Sequence, residues 1–294
     1  MQSIISHPER GPWGDSSWRG NCSGMVYRDL FLQLQPKTFV DPMCGSNTSI
    51  EVANEMGIRA VGLDLHQGFN AVNDSILNKV GYQSDLVLSH PPYGGMIVYS
   101  GNVWGEPNNA DLSRCASEEE FHEKMQLVLL NQRDSTLPGK YYGTIIGDYR
   151  KNGRYVSYQA EMISRMPSSE LAAVIIKAQH NCMSDAKTYA NMKLPRIVHE
   201  YILLWQKKSM PVLVMLGNIA REQAERLKGT WRSVIGLVLQ RLGGKASLQE
   251  IYAEVATAAP EKCVQNPSWQ AKVRQVLNST GSFASSERGV WQFA

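Results

Sequence analysis

The chain has 294 residues, 43% of them hydrophobic and 19% charged, with a formal net charge of +3. Such a make-up belongs to a soluble globular protein that can bury one sizeable core and still carry a second, smaller domain. No apolar run approaches the ~20 residues of a membrane span. The best stretch, residues 210–216, is short and holds Pro211, and the opening MQSIISHPERGPW lacks the basic start and apolar segment of a secretory signal.

Five cysteines (Cys22, Cys44, Cys115, Cys182 and Cys263) are odd in number and scattered, with neither zinc spacing nor a disulfide framework. A reducing, cytoplasmic setting is expected.

In chain order, residues 1–24 are rich in Gly, Ser, Pro and Trp and read as irregular. A helix is expected over 26–34 and a short strand over 37–40, running into Asp41-Pro42. Residues 50–56 read as a helix stopped by Gly57, 59–63 as a strand ending at Asp64, and 85–88 as a strand ending at Ser89-His90. Short steps of strand and helix predict a parallel sheet with crossover helices. Residues 94–116 lack periodicity and read as a functional loop or lid. A helix is expected over 118–130, with Ser117 as N-cap and Glu120 completing a capping box. Three apolar, β-rich runs at 142–146, 171–176 and 200–205 complete the sheet.

Residues 207–218 read as a linker, dividing a domain at 1–210 from one at 219–294. Beyond it come an amphipathic helix over 231–242 stopped by Gly243-Gly244, a helix opened by the capping box at Ser247 and Glu250, and a third helix from Asn266-Pro267 to about 277. Phe283 and the strand-like run 290–293 follow. Three helices and a two-stranded wing are the layout of a winged helix–turn–helix. Residues 219–294 hold ten Lys/Arg against six Asp/Glu, so the positive excess sits there, where it can attract phosphate.

Two motifs carry chemistry. In Phe39-Val40-Asp41-Pro42-Met43-Cys44-Gly45-Ser46-Asn47-Thr48 a strand runs through a glycine turn into a helix, a geometry that lets backbone N–H groups approach a ligand. Asp64, 23 residues after Asp41, stands where a carboxylate can accept from ribose hydroxyls. Neither G-x-G-x-x-G nor a P-loop is present. Singly, Asp41 reads equally as a turn cap and Asp64 as a loop end; at successive strand ends they read together as a binding loop. The second motif is His90-Pro91-Pro92-Tyr93, 49 residues after Asp41. Two prolines fix the backbone and an aromatic offers a stacking face.

Together these motifs resemble the cofactor loop (D-P-x-x-G-S-G-T) and catalytic loop ([DNS]-P-P-Y) of DNA methyltransferases that modify an exocyclic amino group. The resemblance covers roughly residues 14–206 and is sharp at 39–66 and 85–93. It implies a Rossmann-like α/β methyltransferase fold binding S-adenosylmethionine through Asp41, Pro42, Cys44, Gly45, Ser46, Thr48, Asp64 and Leu65. Asp74, 11 residues before Asp85, is an expected contact to the cofactor's adenine, and Asn21 or Trp18, in Trp18-Arg19-Gly20-Asn21-Cys22-Ser23, to its methionine end. His90, Pro91, Pro92 and Tyr93 are the expected catalytic residues, with Tyr99, Asn102 and Trp104 lining a base pocket. Basic residues in Gly139-Lys140 and Tyr149-Arg150-Lys151 are expected to face phosphates.

The sequence departs from the pattern twice. Asn47 replaces a glycine, and asparagine tolerates left-handed angles. His90 replaces Asp, Asn or Ser, and neutral imidazole keeps one acceptor nitrogen where imidazolium keeps none. His90 is therefore expected to act neutral, with rate falling below about pH 6.5. Ser89 is the alternative acceptor. The implied substrate is double-stranded DNA, adenine N6 before cytosine N4, with a partner nuclease, as in restriction–modification, left open. An RNA methyltransferase and a non-catalytic DNA-binding protein with a degenerate methyltransferase fold are the competing readings.

Overall fold

The computed structural model describes residues 1–180, 193–279 and 281–294; Cys182 lies outside them. The chain divides into two units, Met1–Val212 and Leu213–Ala294.

The first unit runs β1 (Ile4–Ile5), α1 (Gly24–Leu34), β2 (Thr38–Asp41), α2 (Thr48–Glu55), β3 (Arg59–Gly62), α3 (Ile76–Val80), β4 (Ser84–Ser89), α4 (Glu118–Asp134), β5 (Thr136–Ile146), β6 (Tyr149–Lys151), β7 (Arg154–Val156), α5 (Tyr158–Arg165), β8 (Leu171–Ala178) and β9 (His199–Gln206). Seven strands form one sheet in the order β1-β8-β9-β5-β4-β2-β3. All neighbours pair parallel except at β9, which is antiparallel to both β5 and β8.

Alternate residues along these strands pack to opposite faces, and both faces are covered. Val40, Val87, Tyr142 and Leu203 join Phe121, Met125 and Leu129 of α4 and Met162 of α5 in one core cluster. Phe39, Leu86, Leu88, Ile145 and Leu204 join Val26, Leu30 and Phe31 of α1 and Val52 of α2 in the other. Burial on both faces explains why the strands read as continuous apolar runs. The result is a Rossmann-like α/β fold with a mixed sheet. Its topological switch lies at β2, which pairs with β3 on one side and β4 on the other. The C-terminal ends of β2 and β4 flank the crevice where such sheets bind ligands.

Several expectations are corrected here. The irregular N-terminus contributes β1, a parallel edge strand beside β8. Asn152 (φ 52°) and Gly153 (φ 78°) form a tight turn joining β6 to β7, a hairpin that sequence periodicity passed over. At α4 the Ser117 hydroxyl accepts from Glu120 N, but the Glu120 carboxylate accepts from Ala116 N, so the capping box is displaced by one residue.

The second unit contains α6 (Val212–Arg241), β10 (Lys245–Ser247), α7 (Leu248–Ala258), α8 (Pro260–Gln265), α9 (Trp269–Ser279), β11 (Phe283–Glu287) and β12 (Val290–Phe293). Its sheet has the order β10-β12-β11, all antiparallel. Trp231, Ile235, Val238, Ile251, Val255, Val273, Leu277 and Phe283 form its core. The Ser247–Glu250 capping box is complete. Much of the expected linker is instead helix: α6 starts at Val212 because residues 219–228 are rich in Ala, Arg, Glu, Gln and Leu, strong helix formers without a clear apolar stripe. The expected third helix splits, since Pro260 starts the separate α8 and the Asn266 side chain accepts from Ser268 N just before α9. Among the described residues no helix is long and apolar enough to cross a membrane.

Candidate active site

The turn after β2 is built by its own side chains. Asp41, 1% exposed, accepts from Met43 N (2.9 Å) and from Ser49 Oγ (2.6 Å), tying the turn to the first turn of α2. Gly45 (φ 47°) and Asn47 (φ 65°) both take left-handed angles, so asparagine fills the place of the usual second glycine without breaking the turn. Asn47 makes no side-chain cap to α2. A Cβ on Gly45 would lie 3.0 Å from Trp18 Nε1, so glycine leaves just the room the indole occupies.

Asp64 follows β3. Its Oδ2 accepts from Gly45 N (2.9 Å), and its Oδ1 accepts from His66 N (3.1 Å) and meets His66 Nδ1 at 2.7 Å. Both readings of Asp64 therefore hold: it caps the turn at 65–67, and a carboxylate with about four acceptor positions keeps one more on Oδ2.

These turns and the one after β4 border a cleft of about 850 Å³. Of the expected residues, Asn21, Asp41, Pro42, Cys44, Gly45, Ser46, Thr48, Asp64, Leu65, His90 and Pro92 line it, as do Trp18, Tyr99 and Trp104. Pro91, Tyr93, Asn102 and Asp74 are not among its lining residues. The Asp74 carboxylate instead accepts from Asn70 N (2.8 Å), and Asn70 itself lines the cleft together with Phe69, Ala71 and Val72. No apolar or charged pattern had marked Asn70 out.

Asn21 lines the wall but its amide is engaged. Nδ2 donates to the carbonyls of Asp15, Ser16 and Trp18, and Oδ1 accepts from Arg10 Nε (3.1 Å), so it shapes the loop that carries Trp18. The Trp18 ring lies 5.2 Å from His66, which lies 6.3 Å from Trp104.

In the turn after β4, the partly buried His90 has Nε2 2.7 Å from Tyr93 Oη. The Tyr93 ring packs against Gly147, where a Cβ would come within 2.6 Å, so the expected stacking face is turned into the protein. Ser89 is also turned away. Its Oγ donates to Thr144 Oγ1 (3.3 Å) and accepts from Gln132 Nε2 (2.6 Å) in the core, so it does not substitute for His90. The basic residues expected to face phosphates are engaged as well: Lys140 pairs with Asp85, Lys151 with Glu118, and Arg150 donates to Pro195 O.

Burial dominates the electrostatics. It pushes the Asp41 carboxyl up to about 7, against the lowering effect of the Ser49 and Met43 hydrogen bonds. Burial pushes the His90 imidazole down to about 4. His90 is thus neutral over the working range, and the expected loss of its acceptor near pH 6.5 moves to about pH 4. The Cys44 thiol is pushed far up by burial and stays neutral, no nucleophile. His66 is raised, chiefly by its hydrogen bond to Asp64. One cleft therefore brings together a positive-φ loop, a carboxylate with a spare acceptor, aromatic rings and a neutral imidazole.

No family model and no curated protein matches the chain. Solved structures resemble it weakly. A Thermus thermophilus protein described as a candidate DNA modification methylase is 18% identical, with TM-score 0.31, over 47% of this chain and 51% of that one. TrmN from Thermus thermophilus is 13% identical, with TM-score 0.37, over 65% and 51%. A candidate class I S-adenosylmethionine-dependent methyltransferase from Listeria monocytogenes is 14% identical, with TM-score 0.38, over 63% and 59%. The chain spans about half the length of the first two. Superpositions this partial carry no weight for activity.

Proposed function

We propose that the first unit is an S-adenosylmethionine-dependent methyltransferase acting on an exocyclic amino group of a base in DNA, adenine N6 before cytosine N4. The observation that carries this reading is the meeting of the Asp41–Thr48 turn, Asp64 and His90-Pro91-Pro92 at one cleft. Those residues fit the cofactor. Gly45 leaves a space that a Cβ would fill, Asp64 Oδ2 retains an acceptor for a ribose hydroxyl, and the turn leads into the N-terminus of α2, which favours a carboxylate. When bound, that cofactor supplies an electrophilic methyl group.

The chain's own residues do the rest. An exocyclic amine is a poor nucleophile because its lone pair is delocalised into the ring. An acceptor that binds its N–H favours the tetrahedral, nucleophilic form. His90 offers that acceptor as neutral imidazole, and the two prolines hold the backbone rigid beside it. Trp18, Tyr99 and Trp104 give the cleft aromatic surface for an extruded base and exclude water.

For the second unit the reading is a winged helix that anchors the duplex. Its support is the surplus of ten Lys/Arg over six Asp/Glu and the exposed Gln270, Arg274, Gln275 and Asn278 on α9, side chains able to donate to phosphates and base edges. The test is to incubate the protein with methyl-labelled S-adenosylmethionine and unmethylated DNA, digest to nucleosides and separate them. Label in N6-methyladenosine is expected. Label in N4-methylcytosine changes the base, label only with RNA as substrate changes the polymer, and no label on either overturns the enzymatic reading.

A further inference from the structure

Behind the catalytic turn lies an ion pair absorbed by neither motif. Lys177, near the end of β8, stands opposite Glu200, at the start of the reversed strand β9. The two side chains are 12% and 8% exposed and form a salt bridge. Gln179 Nε2 donates to the same carboxylate at 2.7 Å. The Tyr93 hydroxyl hydrogen-bonds Glu200 as well. On its other side that hydroxyl meets His90 Nε2 at 2.7 Å. A chain of contacts thus runs from a buried ion pair, through a phenol, to the imidazole at the cleft.

Hydrogen-bond capacity decides which way the protons lie. An ionised carboxylate only accepts, and a phenol has a single proton to donate. Burial alone would raise the Glu200 carboxyl, but the Lys177 ammonium and the Gln179 amide bring it down to about 2, so it is ionised at neutral pH. Tyr93 must then donate to Glu200. Its oxygen is left as an acceptor towards His90, and only a protonated Nε2 can complete that bond. A neutral imidazole with its proton on Nε2 carries its lone pair on Nδ1.

We propose that Glu200 is a positioning residue: through the Tyr93 hydroxyl it holds His90 in the Nε2–H tautomer and leaves Nδ1 as the acceptor for a substrate amine. The use made of Nδ1 rests on the methyltransfer reading; the tautomer itself does not. Tyr93 accordingly serves as a relay, which accounts for its ring being packed on Gly147 while its hydroxyl links two polar groups. Lys177 and Gln179 keep Glu200 ionised and oriented, and without them the carboxyl could take a proton and reverse the relay.

The test reads the tautomer directly. The full chain is labelled with 15N-histidine, and ring nitrogens are correlated with ring protons by NMR at pH 7. The His90 signals are assigned among the six histidines by their loss in His90→Asn. The expected result is one protonated Nε2 and one unprotonated Nδ1. In Tyr93→Phe the acceptor is gone, and in Glu200→Gln the amide can donate to the phenol, so both variants should lose the single-tautomer pattern and show averaged nitrogens. An Nδ1–H tautomer in the unmodified protein, or an unchanged His90 spectrum in Tyr93→Phe, overturns the proposal. Should Glu200→Gln fail to fold because Lys177 is left buried without a counter-charge, Tyr93→Phe still decides. No methyl transfer enters this readout, so an inactive protein with the expected tautomer refutes the function and leaves the relay intact.

Discussion

Binding of a cationic ligand in the cleft should strip a proton from Asp41. The carboxyl is 1% exposed, and burial moves its pKa from 3.8 to about 7, even with hydrogen bonds from Ser49 and Met43 N. A group with that pKa holds about 0.9 proton at pH 6, about 0.5 at pH 7 and about 0.1 at pH 8. S-adenosylmethionine carries a sulfonium and an ammonium, and nearby positive charge favours the ionised carboxylate. Uptake should therefore release about half a proton at pH 7 and nearly a whole one at pH 6, with affinity rising as pH climbs to 7 and levelling above it. Titration calorimetry in phosphate and in Tris reads the released proton as a difference in enthalpy. Asp41→Asn should abolish that difference, because the amide does not titrate while Oδ1 can still accept from Met43 N. Equal enthalpies in the two buffers at pH 6 would refute the burial argument. The same shift has a stability consequence. The folded pKa lies above the unfolded one, so the folded protein keeps a proton that the unfolded chain has lost, and stability declines as pH rises from about 4 to 7. His90 acts in the opposite sense: its folded pKa of about 4 lies below the unfolded value, so stability is lost as pH falls from about 6.5 towards 4. Asp41→Asn should thus gain stability on the parent protein above pH 7, by no more than about 4 kcal/mol.

At saturating cofactor, single-turnover methyl transfer should stay flat from pH 8 to about 5.5 and fall only towards pH 4, where the buried His90 takes up a proton; a fall centred at 6.5 would mean that the imidazole is solvated. Gly45→Ala should weaken cofactor binding on the order of tenfold, since left-handed backbone costs about 1–2 kcal/mol and the new methyl meets Trp18. Calorimetry checks it, with Gly57→Ala as the control, where φ is +72° but nothing lies within 4 Å of the added carbon. Ser89→Ala should leave methyl transfer intact while lowering stability by about 1–3 kcal/mol, because the buried Gln132 amide loses its acceptor; denaturant unfolding beside the activity assay separates the two effects.

Local signals served well where the physics is local. The turn after β2 was readable because Asp41, Gly45 and Asn47 each do work confined to a few residues: a cap and two positive φ angles. The Asn152-Gly153 hairpin was equally local but lay outside the apolar patterns that were followed. Pairing across the sheet was not legible. Lys177 and Glu200 stand 23 positions apart in apolar runs, and only the reversal of β9 sets them opposite each other. Tyr93 and Ser89 likewise depended on tertiary context. A Tyr after two prolines suggests a stacking platform, yet Gly147 offers the ring a bed and Glu200 and His90 offer the hydroxyl partners. Asp74 sat at a family-like spacing, but its carboxylate is held by the backbone of Asn70, four residues back.

Strand β1 carries a practical consequence for handling the protein. Its two isoleucines, with Ile176 N donating to Ser3 O, are all that runs alongside β8 at that border of the sheet. Trimming a handful of leading residues, or distorting them with a bulky purification tag, would bare a long β-rich segment whose amides seek a new neighbour, the usual route by which sheets recruit one another into aggregates. A tag fused after Ala294 avoids that hazard.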